Sequence, residues 1–189
     1  MSEHSERLSE VMFFAGPNGS GKSTITGMAK IVGQYINADD IKRASLCTDL
    51  EAAQKAEQLR REMLNGGRDF TFETVLSTDR NLKLLQEAKA RGYFVRGIYV
   101  LTADPNINIA RVNARVALGG QGVPKEKIRR RYDKALALLC RCRGLRYSHI
   151  YDNTKEPFRI FKKRKDQFFH WENAYWKFSD IEKLTGISF

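Results

Sequence analysis

Val11-Met-Phe-Phe-Ala15 runs directly into Gly16-Pro17-Asn18-Gly19-Ser20-Gly21-Lys22-Ser23-Thr24. Five apolar residues in unbroken succession, closed by a glycine, read as a short strand buried on both faces. Gly16 to Ser23 match G-x-x-x-x-G-K-[ST], a loop whose backbone N–H groups turn inward around phosphates before a helix begins. The match stands where such a loop must stand, between the buried strand and a helix predicted from Ser23 to Val32. Residues 16–24 are therefore expected to bind nucleotide, with the Lys22 ammonium on the terminal phosphates and the Ser23 hydroxyl on Mg²⁺. ATP and Mg²⁺ are the cofactors this predicts.

Outward from this loop, strands and helices alternate. Gln34–Ala38 predicts a second strand, and Leu50–Leu64 a helix stopped by Gly66 and Gly67. Asp69–Thr74 predicts a third strand, Ser77–Ala90 a helix, and Tyr93–Leu101 the clearest core strand. Asn106–Leu118 predicts a helix broken at Gly119-Gly-Gln-Gly122; a further helix runs from about Lys125 to Arg143, and Ser148–Tyr151 is a strand. The segments 158–163 and 168–171 predict a hairpin in an otherwise irregular tail. The expected fold class is α/β: a three-layer, kinase-like P-loop NTPase with a mostly parallel sheet, helices on both faces and a helical lid. One domain over 1–189 is expected, with a flexible stretch at 1–9, the lid within 106–145 and an aromatic, basic segment at 155–189.

No stretch approaches the roughly 18 apolar residues of a membrane span, and residues 1–10 lack the apolar segment of a secretory signal. Cys47, Cys140 and Cys142 have no zinc-like spacing. These features predict a cytoplasmic protein without a membrane partner. The formal net charge of +11 is concentrated between Arg111 and Arg146. Such a surface suits nucleic acid, or a polyanionic small molecule such as ATP.

Ligands of open α/β sheets bind beyond the carboxyl ends of the strands, and three clusters belong there. Asp39, after the second strand, is placed to accept a proton from a substrate hydroxyl, with Asp40 left to cap the helix that follows. Glu73 and Thr74 close the third strand, where the glutamate can bind substrate hydroxyls or hold water on Mg²⁺. Arg115 and Arg131 flank the glycine break and are candidates for neutralising charge on a transferring phosphoryl group. Leu118-Gly-Gly-Gln-Gly122 is superficially similar to the signature loop of ABC ATPases. It lacks the serine, and no run of four apolar residues ends in Asp-Glu.

The ordered series formed by the P-loop, Asn37-Ala-Asp39-Asp40-Ile41, Phe72-Glu73-Thr74-Val75-Leu76-Ser77, Arg115-Val116, Gly119-Gly120, Val123-Pro124, Ile128-Arg-Arg-Arg-Tyr132 and Tyr151-Asp152-Asn153 resembles the zeta-toxin group of P-loop kinases. It is in particular similar to the short chromosomal members, and the likeness runs from about Val11 to Asn153. The resemblance implies an ATP-dependent kinase acting on a small-molecule hydroxyl, in particular on a nucleotide sugar such as UDP-N-acetylglucosamine, and an antitoxin partner. It implies Lys22 as phosphate ligand, Asp39 as general base, Arg115 and Arg131 as charge stabilisers, and Glu57, Glu73 and Thr74 as sugar contacts. Asn153 falls where adenine contacts are expected. Gln121 stands where the short members often have His. Two other classes fit the residues: a polynucleotide or other nucleic-acid kinase, and an ATPase module that uses nucleotide to control a partner. Nothing in the chain resembles the acid pair such modules carry.

Overall fold

The computed structural model describes residues 7–139 and 144–188. Among these residues, seven strands form a single sheet in the order β2-β3-β1-β4-β5-β6-β7. The strands are β1 (Glu10–Ala15), β2 (Gln34–Ile36), β3 (Phe70–Thr74), β4 (Phe94–Leu101), β5 (Tyr147–Asp152), β6 (Phe158–Arg164) and β7 (Gln167–His170). The first five in this order, β2 to β5, run parallel, and β6 and β7 are antiparallel additions at one edge. The helices are α1 (Lys22–Met28), α2 (Ala38–Ser45), α3 (Asp49–Asn65), α4 (Asp79–Ala90), α5 (Pro105–Ala117), α6 (Lys125–Leu139) and α7 (Phe178–Thr185).

The apolar run that opens the chain explains why β1 lies at the centre. Val11, Phe13 and Ala15 face a large core with side chains of α3, α4, α6 and α7, while Met12 and Phe14 face a smaller one with Ile25 of α1. A strand that must bury both faces needs helices on both sides and a paired strand on each edge. β3 and β4 supply the edges. The chain moves from β1 towards β2 and β3 on one side, then crosses to β4 on the other. That reversal opens a crevice at the carboxyl end of β1, where the glycine-rich loop sits.

Several expectations change here. Asp40 does not cap α2. Asn37 does, its Oδ1 accepting from the Asp39 N–H at 2.9 Å, because the extended end of β2 places Asn37 one residue before the first helical one. The helix α7 was not foreseen; its Ile181 and Leu184 are buried in the main core with Trp176. The expected hairpin is present as β6 and β7. Residues 140–143, the predicted end of α6 with Cys140 and Cys142, lie outside the described residues. Of the 1–9 stretch, Arg7 pairs with Asp69 and Ser9 donates to the Gly67 carbonyl at 2.6 Å. Among the described residues, no helix is long and apolar enough to cross a membrane.

Candidate active site

The loop from Gly16 to Gly21 is shaped by its neighbours as much as by its glycines. Gly19 and Gly21 hold φ of +79° and +84°, conformations that L side chains rarely adopt. A Cβ on Gly19 would stand 2.4 Å from the Asn108 carbonyl oxygen, and one on Gly21 would stand 2.0 Å from Asn153 Nδ2. Three side chains clasp the loop from outside. Asn108 Nδ2 donates to the Asn18 carbonyl at 2.7 Å, Asn153 Nδ2 to the Ser20 carbonyl at 2.8 Å, and Arg131 Nη1 to Asn18 Oδ1 at 2.9 Å. Asn108 is fully buried and itself accepts from Thr102. With the Asn18 and Ser20 carbonyls held by these bonds, and the Gly16 and Ser20 N–H groups bonded to Thr74 and Pro17, the remaining N–H groups of the loop are left for the interior of the cradle.

Lys22 begins α1, and its ammonium donates to the Gly16 carbonyl at 2.9 Å and the Pro17 carbonyl at 3.3 Å. Burial lowers its pKa; Glu73 and Asp39 act against the shift, while Arg115 and Arg131 add to it. That pattern shows which groups converge at the mouth of the loop: three cations and two carboxylates, an excess of positive charge suited to a polyphosphate. Burial and Arg130 also lower Arg131, opposed by Asp39 and Asp49. Ser23 and Thr24 are solvent-exposed on the first turn of α1, while Pro17 and Ser20 are buried. The Ser20 hydroxyl has no hydrogen-bond partner among the described residues.

Glu73 is fixed rather than free. Its Oε1 accepts from Tyr35 OH at 2.6 Å and Thr26 Oγ1 at 2.9 Å, and Asn37 Nδ2 donates to the same tyrosine oxygen at 3.2 Å. Burial and the bond to Glu73 raise the Tyr35 phenol far above its ordinary range, so it stays a donor. Thr74 Oγ1 accepts from Asn81 at 2.6 Å, and its carbonyl accepts from the Gly16 N–H at 3.2 Å, tying β3 to the loop. Asp39 is exposed in the first turn of α2. Arg115 donates twice to the Gln121 carbonyl, at 2.8 and 3.1 Å, and so shapes the break between α5 and α6. Buried Ile109, Val112 and Ile128 join those two helices. Glu57, on α3, pairs with Arg80 at 3.0 Å. Beside it, burial pushes the Arg60 guanidinium down to about 10, and that group lies 5.2 Å from the Phe72 ring centroid.

The structure thus groups Lys22, Asp39, Glu73, Arg115 and Arg131 around one loop and sets Asn153 against its back. Sequence reasoning missed Thr26, Tyr35 and Asn108. Thr26 carries a readable signal, one helical turn beyond Lys22. Asn108 carries a fainter one, a polar residue at a core position beside Ile109 and Val112. Tyr35 carries none, since its role depends on β2 lying beside β3.

A family model described as zeta toxin matches residues 33–166 of this chain. The chain is 30% identical over 129 residues to an uncharacterized protein of Haemophilus influenzae, an alignment covering 65% of this chain and 92% of that one. Its fold is similar to a chain of the AvrRxo1-ORF1:-ORF2 complex solved with ATP, at a TM-score of 0.70 and 15% identity. That likeness covers 95% of this chain but 64% of the other, so the chain spans less than two thirds of that protein. It is also similar to a structure of the PezAT chromosomal toxin–antitoxin system of Streptococcus pneumoniae, at a TM-score of 0.59 and 17% identity, covering 96% of this chain and 85% of that one.

Proposed function

The chain belongs to the zeta-toxin family of P-loop kinases, and from that premise we propose that it transfers the γ-phosphoryl group of ATP to a hydroxyl of a small molecule, a nucleotide sugar such as UDP-N-acetylglucosamine being the acceptor of choice. The observation that carries this reading is the convergence of Asp39, Glu73, Arg115 and Arg131 on Lys22 at the phosphate loop. The loop suits a polyphosphate through its inward N–H groups and the excess of positive charge at its mouth, and Gly19 and Gly21 are needed because side chains there would collide with the walls that hold the loop. Lys22 would hold the terminal phosphates and Ser23 would contribute the protein's oxygen to Mg²⁺, an ion that commonly takes only one or two protein ligands beside phosphates and water. Bound ATP·Mg²⁺ supplies the phosphoryl group and leaves as ADP.

The chain's own residues do the remaining work. Asp39 takes the proton from the acceptor hydroxyl as its oxygen bonds to phosphorus and the bond to ADP breaks. Glu73 has one carboxylate oxygen held by Tyr35 and Thr26, which leaves Oε2 for a substrate hydroxyl. Arg115 and Arg131 balance charge on the phosphoryl oxygens in flight. Thr74 and Glu57 complete the acceptor side, and Asn153 the nucleotide side. An antitoxin that covers this cleft is the partner this reading implies.

The test is a screen of nucleotide sugars, nucleosides and sugar alcohols with ATP and Mg²⁺, read by mass spectrometry for a product one phosphoryl group heavier. A phosphorylated nucleotide sugar is expected. Nucleotide hydrolysis without any phosphorylated acceptor would overturn the kinase reading.

A further inference from the structure

One face of the sheet is only half covered. In β5, Ser148, Ile150 and Asp152 are buried while Tyr147, His149 and Tyr151 alternate with them and are partly exposed. Strand pairing carries that second face across the sheet: Tyr147 lies opposite Arg96, His149 opposite Lys162, Tyr151 opposite Arg159, and Lys162 opposite Phe169. A bulge makes this possible. Pairing to β5 passes from Phe161 to Arg159, so Ile160 is the extra residue. Ile160 and Phe161 both turn into the core, and Arg159 and Lys162 both turn away from it.

The helix α1 covers this face over β1 and β4, through Ile25 against Met12, Phe14, Ile98 and Val100. The apolar clusters that seat the helices include neither Phe169 nor Trp171, which are 42% and 37% exposed. Those two rings lie 6.4 Å apart and 13° from parallel. Arg159 lies 5.1 Å from the Trp171 ring centroid, and the Lys162 ammonium 5.6 Å from that of Phe169. Among the described residues, neither cation has a carboxylate within ion-pair distance, whereas Arg96 at the far side is paired with Glu10 at 3.1 Å.

We propose that the outer part of this face, on β6, β7 and Trp171 just beyond β7, binds a single-stranded nucleic acid, with bases stacked on Trp171 and Phe169 and phosphates held by Arg159 and Lys162. Aromatic rings interleaved with unpaired cations on an open sheet are the platform that splayed bases and a polyanionic backbone need together. An acidic polypeptide would answer the cations but leave the rings without matching surfaces. Duplex would answer the cations and keep its bases stacked on one another. The binding does not depend on the kinase reading and does not make the nucleic acid its phosphoryl acceptor.

Fluorescence anisotropy with the full chain tests it, using labelled oligouridylate and oligothymidylate, a duplex of the same length, and polyglutamate as competitor. Both single strands are expected to bind and to weaken steeply with salt. Trp171→Ala should weaken them about tenfold or more. Lys162→Glu, a substitution at the rim, should weaken them and flatten the salt dependence. Lys22→Ala should leave them bound, which separates this face from the nucleotide site. No saturable binding at low salt would overturn the proposal. So would unchanged affinity in both Trp171→Ala and Lys162→Glu when each melts like the wild type. Equal binding of duplex, or displacement by polyglutamate at equal charge, would also overturn it.

Discussion

At the scale of single residues, the candidate site gathers charges of both signs around the phosphate loop. Asp39 reaches its position because Asn37 takes over the capping of α2, leaving the carboxylate free to act on Lys22 and Arg131. Asp39→Asn keeps the size and removes the proposed base. Phosphoryl transfer should fall by about 10² to 10⁴-fold, the usual contribution of a general base, while ATP affinity measured by calorimetry stays close to wild type. Equal turnover by mutant and wild type would remove Asp39 from the mechanism. His149 offers a second test. Burial first, then Arg159, Lys162 and Arg96, push its imidazole down to about 4 from the ordinary 6.5. Between those values the unfolded chain takes up a proton that the folded chain refuses. Stability is therefore full above about pH 6.5 and falls as the pH drops towards 4. Urea midpoints measured across that window should decline, and His149→Gln should flatten the decline.

At the scale of elements, two helices near the site, α3 and α5, are held by local devices legible in the chain. Thr48 caps α3 through a reciprocal arrangement: its hydroxyl accepts from the Glu51 N–H at 3.2 Å, and the Glu51 carboxylate accepts from the Thr48 N–H at 2.8 Å. Thr48→Ala should cost about 1 kcal/mol of unfolding free energy, seen as a lower denaturant midpoint with unchanged slope. The α5 helix starts at Asp104 and Pro105, a cap and a first-turn proline. Its more consequential residue is Asn108, which reaches across to the phosphate loop. The α7 helix shows the opposite case. Eight residues is too short to be stable alone, and its form follows from burial of Ile181 and Leu184 against the sheet. The local signals of α7, Asp180 accepting from the Lys177 N–H at 3.0 Å and Gly186 closing the helix, are weaker than those of α3 and depend on that packing.

At the scale of the whole molecule, the phosphate loop joins parts distant in sequence: β1, the end of β3, α5, α6 and the turn after β5. A ligand in that cradle should stabilise all of them together. With ATP·Mg²⁺ at about a hundred times its dissociation constant, unfolding free energy should rise by about 2.7 kcal/mol, read as a higher melting temperature. Lys22→Ala should abolish the increase. A melting temperature indifferent to ATP would argue against nucleotide binding altogether.

The sequence by itself determined the central strand, the phosphate loop and the alternation that makes the sheet parallel, because these rest on local chemistry: an unbroken apolar run, glycines at positive φ, and periodic helices. The same chain order placed Asp39 and Glu73 near the loop, since strand ends of an open sheet share one rim, while Arg115 and Arg131 come from α5 and α6. Only the tertiary structure decided which side chains hold the site. Tyr35 meets Glu73 because β2 lies beside β3, Asn108 meets Asn18 because α5 packs against the loop, and Asn153 meets Ser20 across the sheet. The phosphate loop is thus written in eight consecutive residues. Its rigidity comes from long-range hydrogen bonds, whose partners are chosen by packing and leave no periodic trace in the chain.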